Sequence, residues 1–204
     1  MIAAYKGHLD IVEYLLSRGC NPNSEAKCGG TALHFAAETG GLEVLKCLLE
    51  HGARFLKNSV GMTPLISAAE RTKANIVEYV VSTDLVSRME KIDALELLGA
   101  SYANDKDNYS WERALYYLTW AMRERFREGL IPVRKKVIAP IEAYDNRVEC
   151  QTLDELDSIR TSLCAIHMEG LIIRERILGT HNPELAHPVI FRGALYADTG
   201  RYDR

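Results

Sequence analysis

Apolar positions in the first part of the chain return at nearly fixed intervals. Leucine pairs stand at Leu15-Leu16 and Leu48-Leu49, and alanine pairs at Ala36-Ala37 and Ala68-Ala69. A shift of 33 residues lays AAYKGHLDIVEYLLSRG (residues 3–19) on AAETGGLEVLKCLLEHG (36–52), and a further shift of 32 lays CGGTALHFAAE (28–38) on VGMTPLISAAE (60–70). Each copy predicts a pair of short helices. The alanines let the two helices approach closely, and the leucines bury one copy against the next. Thr31 and Thr63 stand where a first helix needs a cap for its free N–H groups. Gly40 and Gly52 stand where a helix stops abruptly in a left-handed conformation.

A period near 33 with this T-A/P-L, Ala-Ala and Leu-Leu skeleton marks the ankyrin repeat. His34 belongs to that skeleton and reads as a structural histidine bonded between neighbouring turns, as do His8 and His51. The first repeat starts with its first helix already under way and no T-P-L turn ahead of it, so the array is expected to be truncated at its beginning. The third is decayed, with Thr72-Lys73 where Gly-His is expected. We expect about two and a half ankyrin repeats over 1–88.

From Ile92 the period changes. Leu98, Gly99 and Tyr102, followed by Ala114, Leu118 and Ala121, form a tetratricopeptide-like skeleton, with Ser110 a plausible N-cap for the second helix. A second copy is expected near Gly193-Ala194-Leu195-Tyr196 and Gly200-Arg201-Tyr202, truncated at its end. Between them Pro132 and Pro140 break regularity, and Thr152-Leu153-Asp154-Glu155 reads as a capping box opening one long helix, with Leu156, Ile159, Leu163, Ile166 and Met168 at near-helical spacing. The reading is all-α throughout, with an ankyrin solenoid over 1–88 followed by tetratricopeptide-like helical repeats over 89–204.

Composition sharpens this only by exclusion. With 47% hydrophobic and 26% charged residues and a formal charge of −3, the chain is ordinary globular protein, with no electrostatic reason to expect nucleic acid. No apolar run approaches a membrane span and no signal peptide is read, so no membrane partner is expected. The five cysteines are odd in number and lack a CxxC pair, which fits reduced thiols in the cytoplasm, with the nucleus open as a second compartment. Cys20, Cys47, Cys150 and Cys164 read as packing residues or inert thiols. The basic stretch from Arg123 to Lys136 reads as a solvated face, with an acidic partner as its alternative. No P-loop, dinucleotide fingerprint, H-E-x-x-H or G-x-S-x-G is present, so no enzyme is expected. Solenoids offer broad concave surfaces that bind proteins instead.

The words YKGHLDIVEYLL, CGGTALHFAAE, GMTPL, ALELLGASYAND, MEGLIIRERILG and FRGALYAD resemble the feminization (Fem-one) family over essentially the whole chain, most of all its B-type homologs. The resemblance implies a non-catalytic substrate receptor of cullin-2 RING ubiquitin ligases, which binds degrons on an ankyrin surface and directs substrates to degradation. It also implies that Elongin B/C and cullin-2 dock through regions outside this segment. The alternative is a generic ankyrin and tetratricopeptide scaffold or co-chaperone.

Candidate binding positions are the helix ends Tyr5, Lys6, Glu38, Thr39, Glu70 and Arg71, which would line the concave face as exposed positions. To these the resemblance adds Lys27 and Cys28, at the hairpin tip where B-type members carry a His-Cys pair implicated in metal-assisted or redox-sensitive degron binding. A protonated lysine does not ligate zinc as imidazole does, so no cofactor is expected and zinc at Cys28 remains only the family's alternative. Lys27 would instead favour the thiolate of Cys28.

Overall fold

In a computed structural model of the chain, residues 1–186, 188–190 and 193 are described, and among them every regular element is helical. The chain divides into two compact units, Met1–Ala94 and a second beginning at Leu95.

The first unit holds three helix pairs: α1 Ile2–Lys6 with α2 Leu9–Ser17, α3 Ala32–Thr39 with α4 Leu42–Glu50, and α5 Pro64–Glu70 with α6 Ala74–Val81. Helices α1, α3 and α5 stack side by side, and α2 packs on α4. The alanine pairs make this close stacking possible, since Ala36, Ala37, Ala68 and Ala69 are all fully buried, and Leu33, Leu45, Leu65 and Ile76 fill the space around them.

Turn chemistry fixes each repeat to the next. Thr63 Oγ1 accepts from the backbone N–H of Ile66 at the start of α5, and Pro64 fills the first helical turn. At the start of α3, the Thr31 amide donates to His34 Nδ1 at 3.0 Å, while His34 Nε2 meets the Met62 carbonyl of the next repeat at 3.1 Å. The ring is therefore neutral, with its proton on Nε2. Asn23 bonds the Gly52 carbonyl and the Arg54 amide of the next repeat (2.9 and 2.8 Å), and Asn75 in α6 bonds the Gly40 carbonyl of the repeat before it (2.9 Å). In the decayed third repeat Thr72 keeps the left-handed backbone, at φ 55°, that glycine holds in the repeat before it.

Helix α7 (Arg88–Asn104) gives its residues from Leu95 onward to the second unit, which continues with α8 (Trp111–Arg125), α9 (Leu153–Ile159) and α10 (Leu163–Leu178). Ser110 caps α8 by accepting from the Arg113 amide at 3.3 Å. Gly99 lets α8 come close: a Cβ there would stand 2.8 Å from Leu118 Cγ and 2.9 Å from the Ala114 carbonyl. Tyr102 stacks on Tyr117 at 5.7 Å, and Ala100, Leu118, Cys150, Leu156 and Ile173 form a core.

Two expectations are corrected here. The single long helix expected from Thr152 is two helices, broken at Arg160–Ser162. Thr152 caps α9, but Ser162 starts afresh by accepting from the Ala165 amide at 3.3 Å, so Thr161-Ser162 acts as a helix start rather than a helix interior. The basic stretch is not one solvated face either. Arg123, Arg127, Arg134 and Lys136 are exposed, whereas Arg125 and Lys135 are buried against carboxylates. The second repeat copy expected at 193–202 lies, apart from Gly193, outside the described residues.

Candidate functional site

The helix-end positions fall at the C-terminal ends of the three stacked helices: Tyr5 and Lys6 on α1, Glu38 and Thr39 on α3, Glu70 and Arg71 at the end of α5. Tyr5 is half exposed and meets Phe35 edge-on at 6.4 Å, so one aromatic corner spans the first two repeats. Lys6 lies beside the Tyr5 ring, 5.6 Å from its centre. Thr39 turns its hydroxyl back onto the Phe35 and Ala36 carbonyls (3.0 and 3.2 Å), which leaves its methyl for contact. Glu70 departs from the expectation of an exposed carboxylate: it is 8% exposed and paired with Arg71 at 3.1 Å. Arg71, exposed, is the one of this pair that a partner meets first.

Lys27 and Cys28 are both exposed, at a tight turn closed by the Ala26 amide on the Gly30 carbonyl and the Gly29 amide on the Ala26 carbonyl, each 2.9 Å. The tip is held from the next repeat. The Ser59 amide and hydroxyl both donate to the Cys28 carbonyl (3.0 and 2.7 Å), and a Cβ at Gly29 would stand 2.7 Å from the Ser59 nitrogen. The backbone of the tip is therefore fixed while the thiol faces solvent. Among the described residues no group of three or more His, Cys, Asp or Glu side chains is arranged to hold a metal ion.

The second unit contains a cluster that no sequence signal singled out. Arg125 forms a two-pronged pair with Glu96 (2.7 and 2.8 Å), both essentially without solvent exposure, and donates to the Val133 carbonyl at 3.1 Å. Lys135 reaches Glu149 at 2.9 Å, Glu96 at 3.5 Å and Glu169 at 3.8 Å. Arg176 grips Glu149 with two bonds (2.7 and 2.9 Å) and also touches Glu96. Glu169 accepts from the Cys150 amide with both oxygens (3.0 and 3.1 Å).

Three acids thus face three bases out of water, and burial sets their protonation. Burial works against ionisation of Glu96, but Arg125, Lys135 and Arg176 outweigh it and hold the carboxyl down at about 2. Glu169 has less help: burial and Glu149 outweigh Lys135 and the Cys150 amide, and its pKa rises to about 7. Burial, together with Glu169, pushes the Cys150 thiol up to about 12, so that cysteine is inert as a nucleophile. The available hint was an acid inside an apolar run, as with Glu96 in ALELLGAS and Glu169 in HMEGLII.

A family model for ankyrin repeats matches residues 1–90 as three copies. A mouse (Mus musculus) protein, fem-1 homolog A-like, is 35% identical over an alignment of 241 residues that takes in all of this chain and 36% of the relative. The Drosophila melanogaster fem-1 homolog CG6966 is 42% identical over 76% of the chain, and the Bos taurus fem-1 homolog C is 39% identical over 79% of it. The chain spans about a third or less of the length of these curated relatives. Two of the three carry A and C designations, and together they support the family. Ankyrin repeats present surfaces to other proteins, and a protein-interaction role follows from the fold and the relatives together. With its repeat signature and its likeness running from end to end, the chain belongs to the fem-1 family.

Proposed function

We propose that the protein containing this chain is a non-catalytic substrate-recognition subunit of a cullin-2 RING ubiquitin ligase, which binds degron-bearing proteins on its ankyrin surface and directs them to degradation. Membership of the fem-1 family carries the reading. The arrangement of Tyr5, Lys6, Thr39 and Arg71 along adjoining helix ends supports it, because a row of exposed aromatic and cationic side chains on rigid helices suits capture of an extended peptide. Elongin B/C and cullin-2 would bind through regions outside these 204 residues. The compartments in which such a receptor works are the cytoplasm and nucleus. Cys28, exposed at its fixed tip, is a further contact position in this reading, and the receptor needs no cofactor for recognition itself.

An affinity pull-down of the full-length parent protein tests it, compared with this chain alone. Recovery of Elongin B/C and cullin-2 with the parent and not with the chain is the expected result. Recovery of neither with the parent removes the ligase reading and leaves an ankyrin scaffold.

A further inference from the structure

Outside the ankyrin surface, a groove of about 890 Å³ lies between α8 and α9. Its α8 wall is a straight stripe at helical spacing, and both tryptophans of the chain, Trp111 and Trp120, stand on it with Tyr116 between them. Leu115 and Leu156 form the floor, where the groove meets the core. Trp111 and Tyr116 remain 38% and 58% exposed. Tyr116 and Trp120 meet edge to face at 6.1 Å with 67° between their planes, which leaves an open corner between two flat rings.

Two features of this wall ask for a ligand of particular chemistry. First, neither indole N–H nor the Tyr116 hydroxyl is hydrogen-bonded among the described residues, so the aromatic wall offers unused donors along its length. Second, its two ends differ in charge, with Glu112 at the start of α8 and Arg123 in the last turn. Arg123 has no ion-pair partner among the described residues. On the α9 wall Asp157 is bonded to Arg160 at 3.1 Å, and Asp154 adds one acid more. Eleven residues of helix separate Glu112 from Arg123, a span of about 16 Å at 1.5 Å per residue.

We propose that this groove is a docking surface for an extended, polyproline-type peptide of another protein, with a basic residue toward Glu112 and an acidic residue toward Arg123, about five positions apart at 3.1 Å per residue. A polyproline-type backbone has no internal hydrogen bonds, so its carbonyls take up the indole and phenol donors. Proline rings fill corners between aromatic faces, which is how aromatic grooves read such peptides. The charged ends set the register, and the direction follows from their sign. An amphipathic helix fits less well, because the walls are half polar and the exposed apolar side chains are flat rings rather than a deep slot. This docking is independent of the ligase reading and does not involve the ankyrin surface.

Because both tryptophans line the groove, intrinsic fluorescence reports its occupancy directly. The full chain would be titrated with the synthetic peptide Arg-Pro-Pro-Pro-Pro-Glu, blocked at both termini, and with Ala-Pro-Pro-Pro-Pro-Ala. A saturable tryptophan change with the charged peptide, at least tenfold tighter than with the neutral one, is expected. Tyr116→Ala should weaken it tenfold or more. Arg123→Glu should weaken it about as much, with recovery when the peptide's glutamate is replaced by arginine. Circular dichroism melting checks that these exposed substitutions leave the fold intact. No saturable change up to millimolar peptide overturns the proposal, as does binding indifferent to Tyr116→Ala or unrecovered by the swapped peptide. Concentration-dependent self-association of the chain that Tyr116→Ala abolishes also overturns it, since the occupant is then a second copy.

Discussion

Glu169 gives the sharpest test of how burial governs the second unit. Its carboxyl belongs to α10, and the groups facing it are Lys135 at 3.8 Å, Glu149, and the amide and thiol of Cys150. Lys135 and the amide favour the charged form, burial and Glu149 oppose it, and the opposition wins, lifting the pKa from 4.5 to about 7. A carboxyl that holds its proton more tightly when folded stabilises the fold fully below 4.5, and that stabilisation is lost as pH rises through about 7. The difference of about 2.5 units corresponds to about 3 kcal/mol lost between pH 4.5 and 8. Replacing Glu169 by Gln keeps the acceptor for the Cys150 amide and removes the titration. Urea unfolding followed by tryptophan fluorescence reads this unit alone, because Trp111 and Trp120 both belong to it. Parent and Glu169→Gln should unfold at similar urea concentrations at pH 5. At pH 8 the variant should be the more stable, by about 1.5 M in midpoint for an m-value of about 2 kcal/mol/M. Midpoints that run parallel from pH 5 to pH 8 would mean that Glu169 titrates as an ordinary surface acid, and the reasoning from burial would fail.

The other predictions concern single elements. Arg125→Ala leaves Glu96 buried without its two-pronged partner and should cost about 3–5 kcal/mol by the same fluorescence assay; a loss under 1 kcal/mol would show that Lys135 and Arg176 suffice. Thr72→Gly relieves a β-branched residue at φ 55° and should stabilise the first unit by about 0.5–1 kcal/mol, read by hydrogen exchange of α5 and α6 amides; unchanged or faster exchange counts against strain there. Burial lowers the pKa of His34, and protonating Nδ1 breaks its bond from the Thr31 amide. Its contribution is therefore present above pH 6.5 and lost as pH falls below it, so the protection factors of α3 amides, corrected for intrinsic exchange at each pH, should fall on acidification in the parent and much less in His34→Gln. Gly99→Ala drives a methyl into Leu118 and the Ala114 carbonyl and should cost about 1–3 kcal/mol, with unchanged urea midpoints as the contrary result.

The ankyrin unit was legible because its information is local. A threonine cap, a small pair, a left-handed turn and an apolar pair recur within each repeat, and every contact they make is with the same repeat or the next, as the Thr31, His34 and Met62 bonds show. Ser110 and Thr152 were legible for the same reason, since a cap acts on residues two or three places along. The break at Ser162 was not, because apolar spacing continues across it and only the cap residue betrays the new start. Glu70 misled because an acid at a helix end usually faces water, whereas this one turns inward beside Arg71. The ion cluster was hidden most deeply. Glu96 meets Arg125 across 29 residues and Arg176 across 80, and nothing in the composition of a charge says which other charge will meet it in the fold.

The position of that cluster explains how the least regular part of the second unit is held. Between α8 and α9 the chain runs from Phe126 to Thr152 with only a short 3₁₀ turn at Glu142–Tyr144, a length at which connections in compact folds are uncommon. Many of its apolar side chains, Leu130, Ile131 and Val137 among them, face water, so apolar burial alone does not fasten it. It is pinned at both ends by charge instead. Near its start the Val133 amide and carbonyl pair with Arg125 (3.0 and 3.1 Å), and Lys135 dips into the three carboxylates. Near its end Glu149 takes Arg176, and the Cys150 amide takes Glu169. In the middle Tyr144 packs with Met168, Leu171 and Ile172 and donates to Glu175 at 2.7 Å, which with burial raises the phenol's pKa. Buried ion pairs add little net stability over apolar packing, but an unpaired buried charge is severely penalised. A segment tied down this way has one good register and many bad ones. Slipping it by a residue would strand Lys135 or Glu149 without partners, so the cluster selects the path of the connection more than it stabilises the unit.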